Sequence, residues 1–225
     1  MSDKAKQLAA GAAVDLVEDG MRLGIGTGST AEYFIQLLGQ RVRDGLSVSG
    51  VATSERSAEL CRQLGIGLTN LDETPVLDLA VDGADEFDGA LNLIKGGGGA
   101  LLREKIVAGA AKRFVVIADT SKQVAVLGAF PLPVEIIPMA KQPLSGRLER
   151  LGAVVTLRQA EDGKPFRTDE NHWVLDCAFG PSMAGPADLA QTLSTWPGVV
   201  EHGLFCGMTE QVLLGDDSHV AVITG

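Results

Sequence analysis

Between Met21 and Asp119 short apolar runs alternate with segments of helical periodicity, and this alternation constrains the fold more than any other feature of the chain. "MRLGIG" reads as a buried strand, "TGST" as a turn and "AEYFIQLLGQRV" as a helix, with Ser29 expected to cap it and Glu32 to complete a capping box. The pattern returns in "LSVSGVAT" and "SERSAELCRQLG", the latter opened by Ser54, then in "LDLAVDGADEF" and "GALLREKIVAGAA", and closes on the strand "KRFVVIAD". A further helix precedes it from Lys4 to Glu18, where Leu8, Ala9, Ala12, Ala13, Leu16 and Val17 fall at helical spacing and Gly20 supplies a stop. Strands separated by helices pair in parallel, with helices on both faces of the sheet. In such α/β folds ligands collect beyond the carboxyl ends of the strands.

Near Gly128 the pattern changes. "PLPVEIIP", "PLSGRLERLG", "AVVTLRQ", "HWVLDCAF" and "PADLAQTLSTWPG" read as strand, helix, strand, strand, helix with prolines at the boundaries, which predicts a smaller α+β lobe over 128–202. The tail contains two apolar strand-like runs and is expected to return to the first sheet, so that 1–127 and 203–225 form the main domain. No internal repeat interrupts this order.

Composition narrows the function classes. With 45% apolar and 21% charged residues in 225, and no apolar run near the ~18 to 20 residues of a membrane span, a globular protein without membrane helices is expected. The N-terminal segment has no apolar signal core, so the cytoplasm is the expected location. Cys61, Cys177 and Cys206 are few, odd in number and scattered, as suits a reducing compartment and packing roles. His172, His202 and His219 show no ligand spacing, and neither a metal nor any other cofactor is expected. A formal charge of −10 with no basic tract makes nucleic acid or an anionic membrane a poor partner. An anionic substrate must therefore be held by local geometry.

Three motifs sit at predicted strand ends. In "GIGTGST" (Gly24 to Thr30) glycines would let backbone N–H groups approach an anion, with Ser29 and Thr30 at a helix N-terminus; the plainer reading is a tight turn. It is neither a P-loop nor a dinucleotide fingerprint, since no Gly-Lys-Ser/Thr follows and Thr30 stands where the last glycine would. "DGADEFD" ends a strand in Asp82, Asp85, Glu86 and Asp88, which could hold a cation, move protons, bind sugar hydroxyls or form a solvated turn. Lys95 would compete with a cation there, and a lysine beside an aspartate suits a reacting oxygen better. "IKGGGGALLREK" joins two ordered elements through Gly96, Gly97, Gly98 and Gly99, so it is more than a spacer. Glu104 in the first turns of the next helix has the disposition of a general base, with Lys95 as its electrophilic partner.

Taken together these motifs resemble the signatures of the type A ribose-5-phosphate isomerase family. "IADTSK", "PVEIIP" and "WPGVVEHGLF" extend the resemblance in order over nearly the whole chain. It implies a Rossmann-like, mostly parallel sheet with helices on both faces plus a smaller α+β lobe, and a homodimer with the lobe at its interface. It also implies metal-independent interconversion of ribose 5-phosphate and ribulose 5-phosphate in the non-oxidative pentose phosphate pathway. By position, the family's base falls on Glu104 and its ring-opening and orienting groups on Asp82, Asp85 and Lys95. Substrate contacts fall on Thr27, Gly28, Ser29, Thr30, Gly83, Ala84, the glycines Gly96 to Gly99, and Lys122. One departure lies in the lobe: "TDENH" (Thr168 to His172) stands where the family tends to read Thr-Asp-Asn-Gly-Asn. Two other classes stay open on sequence: a catalytically silent sugar-phosphate sensor on the same fold, and acyl-CoA transfer through a glutamyl-CoA thioester.

Overall fold

Seven strands of the first unit lie side by side in one sheet; helices carry the chain back between the first three of them, whereas the last two are joined directly. The computed structural model describes residues 3–180, 183 and 185–225. Its first unit holds the chain through Ala84, Arg103–Gln123 and Met208–Gly225; its second holds Asp85–Leu102 and Val124–Gly207. In chain order the elements are α1 (Asp3–Val14), β1 (Arg22–Ile25), α2 (Ser29–Arg43), β2 (Ser49–Ala52), α3 (Glu55–Gln63), β3 (Gly67–Leu68) and β4 (Leu79–Asp82). Next come β5 (Glu86–Phe87), β6 (Leu93–Ile94), α4 (Leu101–Ala110), β7 (Phe114–Asp119), β8 (Leu132–Ile136), α5 (Lys141–Arg150), β9 (Val154–Leu157) and β10 (Trp173–Ala178). The chain ends through α6 (Pro186–Ser194), β11 (Val199–His202), β12 (Leu204–Phe205), β13 (Gln211–Gly215) and β14 (Val220–Thr224).

The first unit's sheet runs β14-β13-β7-β4-β1-β2-β3, parallel throughout except for β14, which pairs antiparallel with β13. Its order outward from β1 reverses between β1 and β4, the switch point at which doubly wound sheets open a crevice. Alternate side chains feed opposite faces. Leu23, Ile25, Leu79, Val81, Val115, Ile117 and Leu213 pack with Phe34, Ile35 and Leu38 of α2, Ala9 and Ala13 of α1 and Cys61 of α3. Each fully buried large side chain there contributes roughly 1.5–3 kcal/mol. On the other face Gly24 is tightly covered, since a Cβ there would press on Val107 of α4 and on Ala80. The α/β fold with a mostly parallel sheet is therefore the one expected. Burial pushes the Cys61 thiol up to about 11 and raises that of Cys177 as well, in keeping with packing roles.

The start of α2 differs from expectation. Its N-cap is Gly28, at φ +112°, and no side chain caps it. Ser29 is already helical and its hydroxyl accepts from Lys6 Nζ at 3.0 Å, while Glu32 pairs with Arg56. The turn needs a left-handed residue, which only glycine supplies cheaply, and this moves the cap one position ahead of the serine. Ser54 does cap α3, accepting from Ser57 N–H at 3.1 Å.

The second unit has an antiparallel sheet ordered β11-β8-β10-β9 and a small one ordered β12-β6-β5. Leu144, Leu148 and Leu193 of α5 and α6 pack with Leu132, Val134, Ile136, Leu175 and Cys177. Two boundaries depart from the sequence partition. Segment 85–102, kept there with 1–127, belongs to the second unit: β6 pairs with β12, and the Glu86 carboxylate accepts N–H groups of Gly128 and Phe130 at 2.8 and 2.6 Å. The tail forms four strands rather than two, of which β11 and β12 stay in the second unit before β13 and β14 return to the first sheet.

"TDENH" keeps its turn by substitution of means. Asn171 holds the left-handed position at φ +64°, which asparagine tolerates. His172 Nδ1 and Thr168 Oγ1 both reach Glu135 Oε1, at 2.9 and 2.8 Å. Glu135 is fully buried, and desolvation raises its pKa against the opposing pull of those two partners. A carboxyl raised above its unfolded value favours the fold while protonated. That contribution is lost as pH climbs from the ordinary glutamate range of about 4.3 through the raised value. Glu135→Gln is expected to flatten this slope, so that the variant's urea midpoint gains on the parent's as pH rises from about 4 towards neutrality. A gap between the two that stays constant over that range would locate the cost elsewhere.

Candidate active site

Every parallel strand of the first unit ends on one edge, and most of the residues singled out from its sequence lie there. After β1 come Gly26 to Thr30; after β2, Thr53 and Ser54; after β4, Gly83 and Ala84; after β7, the short helical turn Thr120–Lys122. Asp82 is the last residue of β4 and is 3% exposed. Its Oδ1 accepts two backbone N–H groups, from Thr27 at 3.0 Å and Gly83 at 2.7 Å, which fixes the carboxylate in place. Gly26 passes so close that a Cβ would overlap that carboxylate.

Thr27 is supported from beneath. Its hydroxyl meets Thr53 Oγ1 at 2.7 Å, Ser54 Oγ at 2.8 Å and Ser57 Oγ at 3.1 Å, and Ser57 in turn donates to the Gly26 carbonyl at 2.8 Å. Both donors of Thr27 are thus taken within the protein, and the residue holds the turn. Gly28, Ser29 and Thr30 form the outer part of it, with Lys6 of α1 at Ser29. Lys122 follows Asp119, whose carboxylate caps the turn through Ser121 N–H at 2.9 Å; Lys122 has no ion pair among the described residues.

Glu104, in the first turn of α4, is 6% exposed. With Asp82 it lines a closely packed spot too tight to admit a water molecule, walled by Gly24, Gly26, Thr53 and Val107. Two buried carboxylates lining one spot beside pinned backbone amides form an arrangement in which a proton can be taken up and passed on.

The second unit carries the remaining candidates. Asp85 Oδ2 accepts the Gly97 N–H at 2.7 Å, and the Asp85 N–H donates to the Ile94 carbonyl at 2.8 Å. Lys95 is 2% exposed, its N–H bound to the Gly203 carbonyl at 2.8 Å and its ammonium 5.6 Å from the Phe205 ring centroid. The glycines are not equivalent. Gly96 and Gly99 have φ of +101° and +81° and are joined by a turn hydrogen bond of 2.9 Å, whereas a side chain on Gly97 would meet the Asp85 carboxylate. Gly98 has open space around it.

The acidic stretch is dispersed. Asp82 takes Thr27 and Gly83, Asp85 takes Gly97, Glu86 takes Gly128 and Phe130, and Asp88 holds its own turn through Ala90 and Asn92 N–H groups at 2.9 Å each. Among the described residues no group of three or more His, Cys, Asp or Glu is placed to hold a metal ion. Sequence reasoning missed Thr53 and Ser57, although "ATSERS" follows a strand of the alternation and could have been searched for donors. It also missed Lys6 and Arg158, which carry no local signal.

Comparison with known proteins agrees over the whole chain. A family model described as ribose 5-phosphate isomerase A (phosphoriboisomerase A) matches residues 49–219. A protein of Parvibaculum lavamentivorans named ribose-5-phosphate isomerase A is 50% identical, the match covering 99% of this chain and 98% of that one. Another of the same name from Synechococcus sp. is 52% identical over 96% of this chain and 95% of its own. The structure of ribose 5-phosphate isomerase A from Methanocaldococcus jannaschii matches with a TM-score of 0.95 at 39% identity, covering 100% of both chains. A D-ribose-5-phosphate isomerase in complex with phospho-erythronic acid matches with a TM-score of 0.97 at 38% identity, again over 100% of both.

Proposed function

The chain belongs to the ribose 5-phosphate isomerase A family, and we infer from that premise that it interconverts D-ribose 5-phosphate and D-ribulose 5-phosphate by a metal-independent proton transfer in which Glu104 is the base. The observation that carries the mechanism is that two buried carboxylates, Glu104 and Asp82, line one closely packed spot at the carboxyl edge of the sheet. In this reading the phosphate sits on Gly28, Ser29, Thr30 and Lys122, with Lys6 adding charge at Ser29, and Thr27 shaping the loop from behind. Asp82 and Lys95 move the protons that open the sugar ring. Glu104 then takes the proton from C2 of the open aldose, leaving a cis-enediolate, and returns it to C1 while the hydroxyl proton on the C2 oxygen passes to the C1 oxygen, giving the ketose.

The oxygen at C1 becomes negative along this path and needs a donor that is already in place. Lys95 and the glycine-turn amides supply it, and Asp85 orients the sugar hydroxyls from its bond to Gly97. A buried ammonium can do this work without a metal ion. Purified protein treated with chelator is expected to form ketose from ribose 5-phosphate at the untreated rate; loss of activity with chelator and recovery with a divalent cation would refute the metal-free route. The assembly we propose is a homodimer formed through the second unit, which exposes Met139 and Val154. The proposed location is the cytoplasm, in keeping with three cysteines that form no disulfide.

A further inference from the structure

A run of four glycines has no side chains with which to hold its own peptide planes, yet amides that stabilise a developing charge must be aimed beforehand. The restraint comes from Arg158, the residue after β9, in the same unit and 14% exposed at its side chain. Its Nε and Nη2 take the two oxygens of Asp176 on β10 at 3.0 and 2.5 Å. The remaining corner of the fork, Nη1, donates to the carbonyls of Gly96 at 2.9 Å and Gly97 at 3.1 Å. Phe166 lies 5.7 Å from the guanidinium and occupies the space where a Cβ on Gly99 would fall.

Planarity turns this clamp into an aiming device. In a trans peptide the carbonyl and the following N–H point in opposite directions, so two carbonyls drawn to Arg158 send two N–H groups away from it. The Gly97 N–H meets Asp85 Oδ2. The Gly98 N–H is turned the same general way and makes no hydrogen bond with any described residue. We infer that Arg158 is a positioning residue for the isomerisation: it aims the Gly98 amide as a donor for a substrate oxygen and, through Gly97, holds the Asp85 carboxylate. This rests on the proposal above that the glycine turn touches the sugar phosphate. A lysine could not replace it, because one ammonium cannot grip a carboxylate bidentately and two carbonyls together.

Arg158→Ala is expected to lower kcat by ~10- to 100-fold, the scale of a small misplacement of reacting groups. The pH dependence of kcat/KM should keep the parent's form because Glu104 is untouched, and ethylguanidinium added to the assay should restore part of the lost rate in Arg158→Ala and none in Lys95→Met. Asp176→Asn, which leaves the guanidinium but loosens its anchor, should lose activity several-fold and serves as the test if the alanine variant does not fold. Parent-level kcat and KM in whichever of these variants folds would overturn the inference. Glu104→Gln assayed alongside separates the two readings. An active Glu104→Gln protein sinks the catalytic assignment, whereas an inactive one beside a fully active Arg158→Ala sinks the positioning role alone.

Discussion

Glu104→Gln is expected to give a folded protein that still binds ribose 5-phosphate and isomerises it ~10²- to 10⁴-fold more slowly. Glutamine matches glutamate in volume, so the close packing beside Asp82 is kept and that of α4 against Gly24 through Val107 is undisturbed. It cannot accept the C2 proton, and no step in the proposed sequence proceeds without that transfer. Ketose formation measures the rate, and calorimetric titration with ribose 5-phosphate measures the retained binding. Near-parent turnover would remove Glu104 from the mechanism and return the choice of base to Asp82.

Lys95→Met should cost ~10²- to 10³-fold in kcat, the range seen when one preorganised donor to a developing oxyanion is removed. Methionine keeps an unbranched apolar stem only one atom shorter beside Phe205, and the backbone bond from residue 95 to the Gly203 carbonyl does not depend on the side chain. The loss should fall on kcat more than on KM, because the negative charge that the ammonium meets exists mainly in the transition state. A variant with unchanged kcat and a raised KM would make Lys95 a binding group for the ground-state sugar phosphate only.

Much of this was legible in the chain itself. The periodicity of Met21 to Asp119 led to the parallel sheet, and the glycine-rich turn after β1 falls at the carboxyl edge where a doubly wound sheet binds ligands. Legibility stopped where a residue's partner lies far along the chain. Ser29 looked like a cap by its type and spacing, but the left-handed turn at Gly28 took that place and freed the serine for Lys6. Four carboxylates within seven residues looked like one acidic cluster. The chain passes from the first unit to the second at Ala84–Asp85, inside that stretch, and each carboxylate finds amides of its own.

By itself, then, the sequence determined the class of fold, the order of its elements and the short list of groups with chemistry to offer. Those follow from neighbours along the chain: side-chain period, turn-forming residues and helix-forming runs act locally and leave a local record. Only the tertiary structure decided which partners each group meets. Asp82 accepts the amide of Thr27, 55 residues away, and the Gly96 and Gly97 carbonyls accept from Arg158, about 60 residues away. Such partnerships are set by strand register and packing, in which one slipped residue would turn every side chain to the opposite face.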